Sequence, residues 1–135
     1  SDLVDLYPTF AELAGAAVPG NQPLDGESIV PLLKDSTAEL KREDIHWWMP
    51  GYLPGRQAPA HAMRSGNWKV IEFFEDGHLE LFNLRNDIGE RKDLAKKYPN
   101  KLRQLHGKLK AWRAAVGAVI PPHNPDFDPA NKGKW

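Results

Sequence analysis

Residues 61–83 read HAMRSGNWKVIEFFEDGHLELFN, and this stretch decides the fold. Aromatic and β-branched residues occur in short runs, and Ser-Gly-Asn and Glu-Asp-Gly separate the runs, a composition typical of strands joined by turns. The pattern predicts three strands, over residues 61–64, 68–74 and 78–83. The pair Asp76-Gly77 favours a tight hairpin between the last two, because glycine adopts positive φ without a Cβ clash.

The sequence on either side extends this sheet and supplies a helix. Residues 45–49 (IHWWM) predict a strand, and the irregular linker of residues 50–59, which is rich in proline and glycine, is the best candidate for a functional loop. Downstream, Pro99 suits the first turn of a long helix, and Gly117 suits its end. The apolar stripe of this helix, interpreted as core that covers the sheet, is Leu102, Leu105, Leu109, Trp112 and Val116.

The first part of the chain predicts an amphipathic helix over residues 3–14. Its apolar residues recur every three or four positions, with Asp2 as N-cap and Gly15 as C-cap. Pro8 lies inside the pattern, so the helix either kinks there or begins nearby. A proline- and glycine-rich connector, one short helical turn over residues 28–33 and a polar segment follow.

These elements together predict the α+β class. We expect a four-stranded antiparallel sheet packed against the long C-terminal helix, preceded by the N-terminal helix. Residues 1–40 form one segment of helix and connector, and residues 41–135 form a second domain of sheet and helix. The four prolines from Pro121 to Pro129 predict a tail after the helix that is either extended along a surface or disordered.

Composition excludes several classes of function. The chain has 18 basic and 18 acidic residues, so no net charge attracts nucleic acid or an acidic membrane surface. It has no cysteine, which excludes disulfides, cysteine zinc sites and a cysteine nucleophile. No apolar run approaches the roughly 18 residues that span a bilayer, so we expect neither a nucleic-acid nor a membrane partner.

Several phrases of this sequence, in this order, resemble the late part of arylsulfatase-type sulfatases, the enzymes that use formylglycine. The resemblance covers nearly the whole chain, and several ordered phrases are more specific than one short motif. The phrases are DLYPT at residues 5–9, LAG at 13–15, LDGES at 24–28, AMRSGNWK at 62–69, ELFNL at 80–84, and the following Asp87, Gly89 and Glu90.

The resemblance implies a longer parent protein. Such a parent has a large N-terminal alkaline-phosphatase-like α/β domain that carries the active site, to which residues 1–40 would belong, and a C-terminal subdomain that residues 41–135 would form. The parent would be a sulfuric ester hydrolase that depends on calcium and formylglycine and acts on a sulfated small molecule or carbohydrate. Its N-terminal catalytic domain would be the partner of this chain. The family also implies a periplasmic or extracellular location.

The chemistry of the family's active site has no counterpart in this sequence. Formylglycine is made within a Cys/Ser-x-Pro-x-Arg motif, and none of the four serines here is followed by proline two positions later. We therefore expect no catalytic residue, no metal ligand and no cofactor in this chain, and no hydrolysis by it alone. Asp76-Gly77-His78 is similar to a metal-binding cluster, but a turn accounts for it sufficiently.

Six residues are candidates for substrate contact. His46, Trp48 and Tyr52 flank the proline- and glycine-rich loop and combine aromatic rings with polar groups suited to a sugar; the related sequences often carry His at the positions of Trp48 and Gly51. On the next strands, His61, Arg64 and Lys69 are the other candidates, the two cations because they pair with sulfate oxygens. The alternative is structural: Trp47 or Trp48 in the core, and both cations in ion pairs or on a solvated face.

Three hypotheses remain at this point. The leading one is that the chain completes the fold of a sulfatase and shapes its substrate cleft. A non-catalytic carbohydrate-binding or protein-interaction module is the competing class, because aromatic residues cluster in a chain that lacks a nucleophile. Third, the helix over residues 3–14 belongs with the large domain, and its apolar face then favours homo-oligomerisation or domain exchange.

Overall fold

The computed structural model describes residues 2–21, 23–52 and 58–126. The chain divides into two compact units, Ser1–Glu43 and Asp44–Trp135. Among the helices of the described ranges, none combines the length and the apolar character that crossing a membrane requires.

The first unit contains the predicted N-terminal helix. A 3-10 turn at Leu3–Asp5 leads into helix α1, Leu6–Leu13, and a short helix α2 follows at Val30–Lys34. Asp2 caps the start as predicted: its side chain accepts the Leu3 N–H at 2.6 Å, while Asp5 accepts the Asp2 N–H at 2.7 Å. Pro8 lies in the first turn of α1, where the missing N–H leaves no helical hydrogen bond unmade.

A buried network around Asp5 ties the connector to α1. The fully buried carboxylate of Asp5 accepts hydrogen bonds from both terminal nitrogens of Arg42, at 2.8 and 2.7 Å, and from the Glu27 N–H at 3.2 Å. The Thr9 hydroxyl donates to the Asp5 carbonyl at 2.6 Å and accepts the Ile29 N–H at 3.0 Å. The DLYPT and LDGES phrases therefore meet through hydrogen bonds.

The second unit is an antiparallel sheet with one long helix. Strands β1 (Asp44–Met49), β2 (Ala60–Ser65), β3 (Trp68–Phe73) and β4 (Leu79–Asn83) lie in the order β1-β2-β3-β4, and helix α3 spans Pro99–Val116. This confirms the predicted α+β class, and Gly117 ends α3 with a φ of 66°. The β3–β4 connection is longer than predicted, because the strands end at Phe73 and resume at Leu79; Gly77 takes a φ of 68° within it.

Helix α3 packs on one face of the sheet. The buried residues of this core are Met63, Val70, Leu81, Leu105 and Leu109, with Leu102 packed against them. The prediction that Val116 lies in the core is wrong, since its side chain is 54% exposed. The buried positions of α3 are Leu105, Leu109 and Arg113, spaced by four residues, so the ridge facing the sheet passes beside Val116.

The two neighbouring tryptophans of β1 lie on opposite sheet faces, because side chains alternate along a strand. Trp48 pairs with His61 on the α3 face, and Trp47 pairs with Ala62 on the other face. A second apolar cluster occupies that other face: Ala60, Ala62, Ile71 and Phe82, with Phe73 and Leu84 beside them.

Candidate functional site

His46, Trp48 and His61 come together on the α3 face of the sheet. His61 is fully buried, and its Nε2 lies 3.2 Å from Nδ1 of His46. The indole of Trp112 stacks on the His46 ring with the centroids 4.5 Å apart, and Trp48 meets the His61 ring edge-on at 5.3 Å. Aromatic rings thus enclose two histidines at the interface between β1, β2 and α3.

Both histidines are neutral at pH 7. Burial lowers the pKa of His61 to about 4. Positive charge on His46 or Arg113 also lowers this pKa, whereas the negative charge of Glu72 raises it. Burial also lowers the pKa of His46, and Lys108 adds to this effect while Asp44 opposes it. Nδ1 of His61 is buried without a partner in the described part of the chain. We assign the His61 proton to Nε2, which then donates to Nδ1 of His46. Nδ1 of His61 is then left with an unpaired acceptor lone pair, which costs less than an unpaired buried N–H.

A buried ion pair adjoins the two histidines. Glu72 of β3 lies directly opposite His61 in the sheet register, and Nη1 of Arg113 donates to its Oε2 at 2.5 Å. Nε2 of His106 lies 3.1 Å from the same oxygen, although outside hydrogen-bond geometry. The Arg113 guanidinium also lies 5.9 Å from the centroid of the Phe74 ring. A row of polar side chains therefore crosses the interface between sheet and helix.

Arg64 and Lys69 lie on the opposite face of the sheet. They are paired in the β2–β3 register, so both point away from α3. Nζ of Lys69 bonds both carboxylate oxygens of Glu90 at 2.8 Å and lies 6.0 Å from the centroid of the Trp47 ring. Arg64 is exposed, and its Nε donates to the Gly66 carbonyl at 3.0 Å. The structure consequently does not bring the six candidates into one site.

Tyr52 follows β1 at the start of the candidate loop. Its hydroxyl accepts a hydrogen bond from Nδ2 of Asn124 at 3.2 Å, so the segment after α3 returns to this loop. Residues 53–57, in the middle of the predicted functional loop, lie outside the described residues. The prediction that this loop contacts substrate stays a prediction.

The described residues do not form a metal centre. Within residues 2–21, 23–52 and 58–126, no three His, Cys, Asp or Glu side chains converge as a cation would require. At the β3–β4 turn, Oδ1 of Asp76 accepts the His78 N–H at 3.2 Å and contacts its ring nitrogen, a local arrangement that fits the turn interpretation. These residues do not fit the oxygen cage of a calcium ion.

Sequence reasoning missed the grouping of His46, His61, Glu72, His106 and Arg113. The five residues come from three strands and a helix, and no two are close enough in sequence to form a recognisable motif. One signal was available: Arg113 follows Leu105 and Leu109 at four-residue spacing, which places a cation on the buried ridge of α3.

Solved structures with this fold define the class as sulfatases. A 2-O GAG sulfatase superposes with a TM-score of 0.68 and 26% identity, covering 90% of this chain and 27% of that one. Ps i-CgsB, in complex with k-i-k-neocarrahexaose, gives a TM-score of 0.64 and 34% identity, covering 80% of this chain and 23% of that one. In both cases the match occupies about a quarter of a larger protein.

The family follows from the sequence itself. Residues 2–115 match the family described as N-sulphoglucosamine sulphohydrolase, C-terminal, and the chain belongs to that family. A sulfatase of Formosa agariphila is 35% identical over 122 residues, which cover 81% of this chain and 22% of that protein. Arylsulfatase K of Mus musculus is 32% identical over 115 residues, covering 81% and 20%. The chain therefore spans about a fifth of the length of these curated relatives.

Proposed function

We propose that this chain is the C-terminal part of a sulfuric ester hydrolase, that it completes the fold of the parent enzyme, and that it hydrolyses nothing alone. The observation that carries the proposal is the family match over residues 2–115 in a sequence without a Cys/Ser-x-Pro-x-Arg motif. In this proposal, calcium and formylglycine are supplied by the N-terminal catalytic domain of the same parent, in a periplasmic or extracellular location.

The proposed partner is supported by the surface of α1. Six large apolar side chains of this region are at least 39% exposed: Leu3, Val4, Leu6, Tyr7, Phe10 and Leu13. Exposed apolar residues in such a continuous stripe mark a surface that another protein segment covers. We propose that residues 1–40 belong to the end of the large domain, whose remaining elements cover this stripe. If the chain is produced alone, the same stripe supports homo-oligomerisation.

We assign the proposed role in shaping the substrate cleft to the loop of residues 50–59 and to residues near it in the fold. Because His61 is fully buried, we propose that it positions Trp48 and His46 and does not touch substrate. Tyr52 and the exposed Arg64 remain the candidates for direct contact with a sulfated carbohydrate. Lys69 is engaged by Glu90, so its proposed role in pairing with sulfate requires that this ion pair open.

The proposal is tested by comparing this chain with the full-length product of its gene. Both are assayed for calcium-dependent release of sulfate from an aryl sulfate and from a sulfated disaccharide. We expect activity only in the longer protein. Activity of the isolated chain would overturn the proposal, and an inactive full-length protein that still binds the disaccharide would favour the non-catalytic carbohydrate-binding module.

A further inference from the structure

A small pocket lies beside the N-terminal end of α3. Trp68 and Tyr98 form its aromatic walls, with their ring centroids 5.4 Å apart and the planes inclined by 71°. Asn83, Asp87, Lys92 and Lys97 supply its polar lining. The volume is about 220 Å³, below the roughly 300–1,000 Å³ of pockets for drug-sized ligands. This size suits one sugar ring.

The surroundings of the pocket are basic although the whole chain carries no net charge. Residues 85–101 contain six basic and three acidic residues. The three acidic side chains keep their negative charge, but each already accepts hydrogen bonds from neighbouring groups. Asp87 accepts the N–H groups of Arg91 and Lys92 at 3.1 and 2.8 Å, Asp93 accepts those of Leu81 and Ala95 at 3.0 and 2.9 Å, and Glu90 binds Lys69.

The ammonium groups at the pocket make no close ion pair. In the described ranges, neither the Lys92 nor the Lys97 ammonium has a carboxylate oxygen within 4.0 Å, although the Lys92 charge acts on Asp87 at longer range. Nζ of Lys97 lies 5.4 Å from the centroid of the Tyr98 ring, which holds the ammonium at the rim of the aromatic wall. Oδ1 of Asn83 accepts the Arg85 N–H at 3.2 Å, and within the described residues its Nδ2 remains available as a donor.

We propose that this pocket binds a sulfated sugar. The aromatic walls formed by Trp68 and Tyr98 pack against the ring, Nδ2 of Asn83 donates to a hydroxyl, and the ammonium groups of Lys92 and Lys97 pair with the sulfate. The choice of a sulfated sugar over other anionic sugars rests on the proposed sulfatase function. The site itself rests on the geometry and charge of these residues.

The test is a titration of the full chain, labelled with ¹⁵N, with glucosamine 6-sulfate, glucosamine and inorganic sulfate. We expect the sulfated sugar to shift the Trp68 indole N–H and the amides of residues 83–98, with a smaller response to each of the other two probes. The double variant Lys92→Gln/Lys97→Gln should weaken binding at least about tenfold, because it removes both charge-assisted interactions with the sulfate. The matched double variant Lys34→Gln/Lys110→Gln removes two exposed lysines elsewhere. It should bind the sulfated sugar as tightly as the unsubstituted chain does.

The variant Tyr98→Ala separates a sugar site from a general anion site. Tyr98 is already 39% exposed, so its removal is expected to leave the spectrum outside the pocket unchanged while weakening binding of the sulfated sugar. Absence of shifts at the pocket, or equal affinity for inorganic sulfate and no effect of Tyr98→Ala, would overturn the proposal. Sulfate release by the full-length protein is measured separately, so failure of the pocket and failure of the sulfatase assignment are distinguishable.

Discussion

His46 and His61 meet across strands β1 and β2, with Nδ1 of one 3.2 Å from Nε2 of the other beneath the Trp112 ring. Two neutral imidazoles suit this enclosed position, but an imidazolium would be buried among aromatic rings. The sheet–helix unit is therefore more stable with both rings neutral than with either ring protonated.

The stability of this unit should fall as the solution becomes acidic. The pKa of His61 is about 4 in the folded protein against 6.5 for the unfolded chain. Between these values the unfolded state binds more protons, so the stabilisation is fully present above pH 6.5 and is lost as the pH falls towards 4. The loss should be about 3 kcal/mol, measured by urea unfolding followed by tryptophan fluorescence at pH 7.5 and 4.

The variant His61→Gln identifies the origin of this pH dependence. Without the titrating ring, the free energies of unfolding at the two pH values should differ much less. Both should be lower than those of the unsubstituted chain. His123, whose side chain is 63% exposed, provides the matched control, and His123→Gln should keep the full pH dependence. If the free energy of unfolding of His61→Gln still falls by the same amount between pH 7.5 and 4, then other groups cause the pH dependence.

The buried Asp5–Arg42 pair should control the stability of the first unit. The hydrogen bonds from Arg42 lower the pKa of Asp5 to about 2 despite burial, which acts the other way. Removing one partner of a fully buried pair costs roughly 3–5 kcal/mol, and the cost here should be smaller because the Arg42 side chain is 19% exposed. We expect Asp5→Ala to speed amide hydrogen exchange in residues 6–14, whereas Asp25→Asn, at an exposed carboxylate, should not. Protection retained in Asp5→Ala would contradict this role.

The same unit depends on a glycine at position 26. A Cβ placed there would lie 2.0 Å from the Val4 carbonyl oxygen, so the connector could not approach the first helical turn as closely as it does. We expect Gly26→Ala to destabilise the first unit by about 3 kcal/mol, the upper end of overpacking costs. Gly20→Ala is the control, because no atom lies within 4 Å of its added Cβ. Hydrogen exchange of α1 amides measures both, and equal protection in the two variants would refute the packing argument.

Local chemistry accounts for the parts of the fold that sequence could predict. Asp2 and Gly117 end their helices through side-chain capping and positive φ, and the alternation along β1 places Trp47 and Trp48 on opposite faces. The grouping of His46 with His61 could not be predicted in this way, because it depends on contacts between residues far apart in the sequence. His46 meets His61 only through the register across residues 50–59, and neither an apolar pattern nor a short turn fixes that register.

The positions of Arg64 and Lys69 also could not be predicted from local sequence. Arg64 and Lys69 are both on a strand next to a turn, and their sequence context gave no reason to treat them differently. Glu90 distinguishes them, because it lies 21 residues after Lys69 and reaches it only once the loop after β4 has folded back along the sheet. An ion pair over that separation follows from tertiary structure, not from a pattern in the chain.

This difference leads to opposite expectations for the two cations in the proposed full-length sulfatase. Arg64 is exposed and has only a backbone carbonyl as hydrogen-bond partner in the described part of the chain, so Arg64→Gln should raise KM for a sulfated substrate with little effect on unfolding. Lys69→Gln should leave Glu90 without its partner and lower Tm, with a smaller change in KM. Thermal unfolding and steady-state kinetics on both variants decide between these roles. If Lys69→Gln raises KM without lowering Tm, then Lys69 leaves Glu90 to bind the sulfate, and if Arg64→Gln changes neither quantity, Arg64 is only a solvated side chain.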